Sequence, residues 1–273
     1  CSSDLSISKR SGSSGPLTGA RRDGGADGAR GYRTGMLEIT AVPRRALAVY
    51  AHPDDPEVSA GGTIARWAAA GCEVHVLVTT LGDKGSDDPQ VRPAELADRR
   101  RAETAAAAAA LGIAGTRHLG HPDGDLEDSR ALRADIVRAV RELQPEVLLC
   151  PDPSALFFGD RYFNHRDHRV TGLAALDAVA PAAANPHYFP EQIADGLSAH
   201  QVATVLCSGT LEPDAWVDIT ATLDRKVAAL ACHASQVGDE AHWVPEVVRE
   251  RAAAVGASVG VTHAEAFRRL RLA

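Results

Sequence analysis

The chain has 273 residues, 45% hydrophobic but only 4% aromatic, and 29 basic against 36 acidic side chains give a formal charge of −7. That length holds one α/β domain of about 230 residues whose core alanine, leucine and valine must fill. The acidic balance excludes a basic field for nucleic acid or an anionic lipid surface, and no stretch reaches the roughly 20 apolar residues of a membrane-spanning helix.

Residues 1–40 form the first compositional unit. Cys1 to Arg33 is dense in serine, glycine, arginine and aspartate with almost no branched apolar residue, so it is expected to be a disordered N-terminal extension ahead of a single domain over 41–273. It lacks the apolar centre of a signal peptide. Met36 is the only methionine and is expected to lie close to the natural start, with the preceding residues an added or reading-frame extension.

An apolar strand over 46–51 then ends abruptly in His52-Pro53-Asp54-Asp55-Pro56-Glu57. A buried strand that stops in a histidine and paired carboxylates delivers ionisable groups to the mouth of an α/β sheet. His52 and Asp55 suit a divalent metal, and Asp54, free of the metal, suits a base. The competing reading is a polar turn in which Asp55 caps the next helix. Helices follow over 58–70 and 93–111, with Gly71 and Gly112 suited to their C-termini, and strands over 73–80 and 116–119. His118 and His121 repeat an i,i+3 spacing, but Gly120 and Pro122 break any helix there, which leaves His121 for a pocket rim rather than a second metal site.

After a helix over 129–143 and a strand over 147–150 comes Asn164-His165-Arg166-Asp167-His168-Arg169, which opens a helix over 168–180. Two histidines at i and i+3 share one helical face. With His52 and Asp55, one of His165 or His168 makes a three-ligand site with an open position, the mark of a catalytic zinc. Residues 185–200 are expected to form an irregular loop over the site. A strand over 202–208 and a helix over 220–232 complete the alternation. His233 and Gln236 are read as packing and capping residues, and Arg225 and Lys226 as part of a solvated face.

The alternation predicts a Rossmann-like, doubly wound, mainly parallel sheet with helices on both faces. Five cysteines are present without a Cys-x-x-Cys pair, and Cys72, Cys150 and Cys207 beside strands read as buried thiols of a cytoplasmic protein. No Gly-x-Gly-x-x-Gly or Walker pattern occurs, and Ser59 lacks a Gly-x-Ser-x-Gly setting.

His52-Pro53-Asp54-Asp55 and the later His165-x-Asp167-His168 give the chain a resemblance to the LmbE-like, or PIG-L, family of zinc-dependent de-N-acetylases. The resemblance spans about residues 44 to 270, with weaker matches at Gly82-Asp83-Lys84-Gly85, Arg100-Arg101-Ala102-Glu103, Pro122-Asp123-Gly124, Lys226 to Gln236 and Glu265 to Arg268. It implies one zinc, or another divalent ion, per chain on His52, Asp55 and His168. It also implies Asp54 as general base and His165 as the group that stabilises the oxyanion or protonates the departing amine, kept oriented and protonated by Asp167. Asp123, Arg100 and Asp83 are implied as contacts to a glycan-type substrate. Glu57 is displaced from the family's usual glutamate by Pro56 and receives no catalytic role, and Phe163 stands where some relatives carry a tyrosine. The expected reaction is removal of an N-acetyl or other acyl group from an amino sugar or sugar-linked amide. The alternatives are an amidase acting on thiol-conjugate amides and a non-catalytic carbohydrate-binding domain of the same fold.

Overall fold

The run Arg45–Tyr50 is a strand because its residues fill both faces of a covered sheet. Ala46, Ala48 and Tyr50 pack to one side, and Leu47 and Val49 to the other, the signature of a strand buried on both faces. The computed structural model describes residues 35–160, 162–238 and 243–272. In chain order its first half carries β1 (Leu37–Glu38), β2 (Arg45–Tyr50), α1 (Asp55–Ala69), β3 (Glu73–Thr80), α2 (Pro93–Leu111), β4 (Gly115–His121), α3 (Arg130–Leu143) and β5 (Val147–Pro151). The second half carries a hairpin of β6 (Phe157–Phe158) and β7 (Tyr162–Phe163), then α4 (Arg166–Asp177), α5 (Pro190–Ala194), β8 (Thr204–Ser208) and β9 (Ala215–Asp218), and finally α6 (Leu223–Ala231), α7 (Ala234–Val237), α8 (Val244–Val259) and β10 (Ala264–Arg271).

Eight strands form one sheet in the order β1-β9-β10-β8-β5-β2-β3-β4. Pairings from β8 through β4 are all parallel, and β10 runs antiparallel to both β8 and β9. Helices α1, α2, α6 and α8 cover one face and α3 and α4 the other, the doubly wound arrangement expected. From β2 the chain steps outward to β3 and β4, then returns to lay β5 on the opposite side of β2. The carboxyl ends of β2 and β5 therefore flank the switch point, where ligand crevices form in such sheets.

Local chemistry sets the elements. Ser129 Oγ accepts from Leu132 N at 3.1 Å to cap α3, and Gly112, at φ +80°, ends α2 with its N–H on the Ala108 carbonyl, a conformation glycine adopts without penalty. Gly172 permits a close approach: a Cβ there would stand 2.3 Å from the Pro151 carbonyl oxygen, so α4 lies directly on the end of β5.

Several expectations change. The sheet includes Leu37–Glu38, paired with Ala215 and Trp216, so ordered structure begins inside the segment assigned to the extension. The disorder expected of residues 1–34 falls outside the described residues. Sequence periodicity missed β9, β10 and α8. Residues 185–200, expected to be irregular, include the short helix α5, and the buried Arg141 guanidinium donates to the Asn185, Tyr188 and Phe189 carbonyls and pins the segment beside α3. Lys226 is buried rather than solvated, held by Glu265 at 2.6 Å and the Val58 carbonyl at 2.9 Å. Cys72, Cys150, Cys207 and Cys232 are free thiols. Among the described residues no helix is long and apolar enough to cross a membrane.

Candidate metal centre

His52 leaves β2 at its carboxyl end and is completely buried. Its Nε2 faces two carboxylates, Asp123 Oδ1 at 3.2 Å and Asp167 Oδ2 at 3.4 Å. That edge of the ring carries the proton, and the Nδ1 lone pair turns toward His168 and Asp55. His168, in the first turn of α4, is oriented in the same way. Asn164 Nδ2 donates to the Ala155 carbonyl at 2.8 Å, so Asn164 Oδ1 accepts from His168 Nδ1 at 3.0 Å and His168 Nε2 is left as the lone-pair face. A second partner that fixes the tautomer in this way is the usual support of a metal-binding imidazole.

The two lone-pair faces meet. His52 Nδ1 lies 3.1 Å from His168 Nε2, Asp55 Oδ2 is 3.4 Å from His52 Nδ1 and Asp55 Oδ1 is 3.2 Å from His168 Nε2. Asp55 presents a different carboxylate oxygen to each imidazole, so three side chains with metal-ligating chemistry meet at one place. Ligands bound at about 2.0–2.1 Å in tetrahedral geometry stand about 3.3–3.4 Å apart, a spacing close to these contacts, so this triangle of side chains suits a zinc-sized divalent ion. Donor atoms of His52, His165 and His168 also lie within 4.8 Å of one another, as do those of His52, Asp123 and Asp167. The second trio meets the protonated edge of His52, and His165 is the half-exposed member of the first, so Asp55 completes the tighter set.

The electrostatics agree. Burial works against charge on Asp55, yet His168 and His52 hold its carboxyl well below the usual range. Burial likewise opposes charge on His52, but Asp55, Asp123 and Asp167 together raise its imidazole well above its ordinary value. Such a site favours positive charge, as a buried carboxylate cluster must.

Asp54 stands outside the triangle and is buried, with Oδ1 2.6 Å from Arg100 Nη2. Burial would push its pKa up, but Arg100 outweighs that and holds the group ionised. Arg100, expected to touch substrate, is fully buried between Asp54 and the Gly82 carbonyl, 3.0 Å away, where it also positions Asp54. Asp123, expected beside substrate, is 1% exposed and is engaged by His52 and by Lys84 N at 2.9 Å. Asp83 remains on the partly open loop after β3.

His165 caps α4 and is half-exposed, its ring centroid 5.1 Å from that of His52 and 5.6 Å from that of His168. Burial first, and then His52, lower its pKa. Asp167, expected to orient it and keep it protonated, has Oδ2 3.9 Å from His165 Nδ1, within ion-pair reach but beyond hydrogen-bond range, and works against that lowering. Asp167 instead accepts from Gly124 N at 2.7 Å and Leu126 N at 3.2 Å, tying the loop after β4 to the back of His52.

Sequence reading missed Asn164, although its i,i+4 spacing to His168 was a usable signal. It also treated Glu57 and His233 as unrelated. Both are buried, with Glu57 Oε2 3.3 Å from His233 Nε2 but off hydrogen-bonding alignment. His118 lies against Thr104 and His121 pairs with Asp135 at 2.9 Å.

The PIG-L family profile, described as GlcNAc-PI de-N-acetylase, matches residues 47–179. Diacetylchitobiose deacetylase of Thermococcus kodakarensis is 32% identical over 227 residues, 82% of this chain and 82% of that protein. The 1D-myo-inositol 2-acetamido-2-deoxy-alpha-D-glucopyranoside deacetylase of Rhodococcus jostii is 32% identical over 245 residues, covering 71% of this chain and 82% of its own length. The structure of N,N'-diacetylchitobiose deacetylase from Pyrococcus horikoshii superposes with a TM-score of 0.77 at 31% identity over 84% of each chain.

Proposed function

We infer, from the premise that this chain belongs to the PIG-L family of de-N-acetylases, that it is a hydrolase removing the N-acetyl group of an amino sugar or sugar-linked amide. The observation that carries the reading is the triangle of His52 Nδ1, Asp55 and His168 Nε2, with edges of 3.1 to 3.4 Å. These three residues hold the metal, for which zinc is the proposed occupant. A zinc bound there supplies a Lewis acid that acidifies water to near neutrality and polarises an amide carbonyl.

The residues around it do the rest. Asp54, kept ionised by Arg100, accepts the proton of the attacking water. His165, half-exposed with its ring 5.1 Å from that of His52, donates to the developing oxyanion or to the departing nitrogen. Asp123 and Asp167 lock the His52 tautomer, and Asp83 with the neighbouring loop is the proposed contact to sugar hydroxyls. Water oxygen bonds to the acyl carbon, the carbon–nitrogen bond breaks, and the amine leaves with the proton that water gave up.

The test is amine release from a panel of N-acetylated amino sugars by the zinc-loaded protein, with and without chelator. Release that chelation abolishes and zinc restores is expected. No release from any member of the panel overturns the reading.

A further inference from the structure

The site has two flanks of opposite character. On the β3–β4 side stand Asp83 and the exposed pair Lys84–Asp125, at 2.8 Å. On the β8–β10 side lies a cavity of about 330 Å³ walled by Phe158, Val248, Ala252 and Val255. This cavity is joined to the metal centre: Val58, Ser59, Phe158 and Gly209 line both it and a smaller pocket that contains Asp55 and His168. The Lys226–Glu265 pair in its wall is mutually satisfied at 2.6 Å, and Tyr162 and Arg251, which also line it, have partners of their own. Hydrocarbon placed there meets the apolar walls and a lysine–glutamate pair whose charges cancel.

Resting on the deacylase reading above, we propose that this cavity receives the N-acyl chain of the substrate and that the chain acts on amino sugars bearing acyl groups longer than acetyl. An amide carbonyl at the metal centre sends its two substituents in opposite directions. Sugar hydroxyls need hydrogen-bonding partners and belong on the polar β3–β4 flank. The acyl chain gains by leaving water and belongs on the apolar flank. A cavity of this size is in the range of small-molecule sites and far exceeds what a methyl group fills. The chemistry is unchanged: water adds to the acyl carbon, the carbon–nitrogen bond breaks, and a fatty carboxylate and a free amine result.

The full-length, zinc-loaded protein is assayed for amine release from glucosamines N-acylated with chains of two, four, six and eight carbons. The expected kcat/KM rises with chain length, by up to about fourfold for each buried methylene. Ala252→Trp and, separately, Val255→Trp fill the cavity and are expected to lower octanoyl hydrolysis at least about tenfold while lowering acetyl hydrolysis far less. Thermal melting and zinc content establish that each variant is folded and loaded. A flat or falling series with acetyl turnover intact overturns this inference and leaves the deacetylase reading standing, whereas silence across the whole series overturns that reading. A gain confined to an octyl glycoside of N-acetylglucosamine assigns the cavity to an aglycone and overturns the acyl assignment.

Discussion

Two buried charge clusters sit on either side of α1, and they are built to opposite ends. At its N-terminus, His52, Asp55 and His168 turn acceptor atoms toward one another at 3.1 to 3.4 Å. Farther along, the helix kinks at Ala60, and the freed N–H groups of Gly62 and Thr63 donate to the two oxygens of Glu265 at 2.9 and 2.8 Å, while Lys226 donates to the same carboxylate. The second cluster is saturated within the protein and holds α1 to β10. The first sets two imidazole nitrogens and a carboxylate against one another, a combination of groups that suits a divalent ion. Burial alone therefore does not distinguish the two carboxylates; what distinguishes them is whether each faces a fixed set of protein donors or other potential metal ligands.

The contrast is open to direct attack. The largest effect is expected from His52→Ala and His168→Ala, which should each lose the metal by elemental analysis and fall to background turnover; full metal occupancy in both would break the ligand assignment. Asp54→Asn should keep metal and fold but lose about 10² to 10⁴ in kcat, the usual weight of a general base, and metal loss in Asp54→Asn with retention in Asp55→Asn would reverse the two roles. Glu265→Ala strands Lys226 and two amides, and breaking a buried ion pair costs about 3–5 kcal/mol. Its melting temperature should drop by roughly 10 °C, with metal stoichiometry unchanged in the protein that remains folded. The smallest effect sharpens the comparison from outside: Arg117→Ala removes an exposed pair with Glu142 at 2.9 Å and should shift stability by less than about 1 kcal/mol.

Much of this was legible in the chain before any coordinates. The hexapeptide after β2 and the histidine pair at the start of α4 stood out because chemistry-bearing residues interrupt otherwise apolar patterns. The core alternation was equally plain, since parallel strands read as continuous apolar runs. What escaped was the support of the site. Nothing in the sequence says that Arg100 packs against Asp54 and Gly82, or that Asp123 packs against His52 and Lys84. Lys226 misled for the same reason: its charge is neutralised by a residue 39 positions away. The strand β10 was hidden because its sequence, AEAFRRLR, mixes arginine into a position between two neighbours, and such pairing is non-local.

The separation of the ligands along the chain has a consequence for how the molecule comes to be. His52 and His168 are 116 residues apart, while Asp54 finds Arg100 after 46. During synthesis the acidic elbow after β2 is made early, but the helix that neutralises Asp55 arrives only after β3, β4 and β5 have been laid down. Contacts of such long range form late, after loop closure has been overcome by other parts of the sheet. The candidate metal centre is therefore expected to be a product of completed folding and not a nucleus for it, and a chain halted before α4 would carry the acidic half of the site with no histidine from the second half to close it.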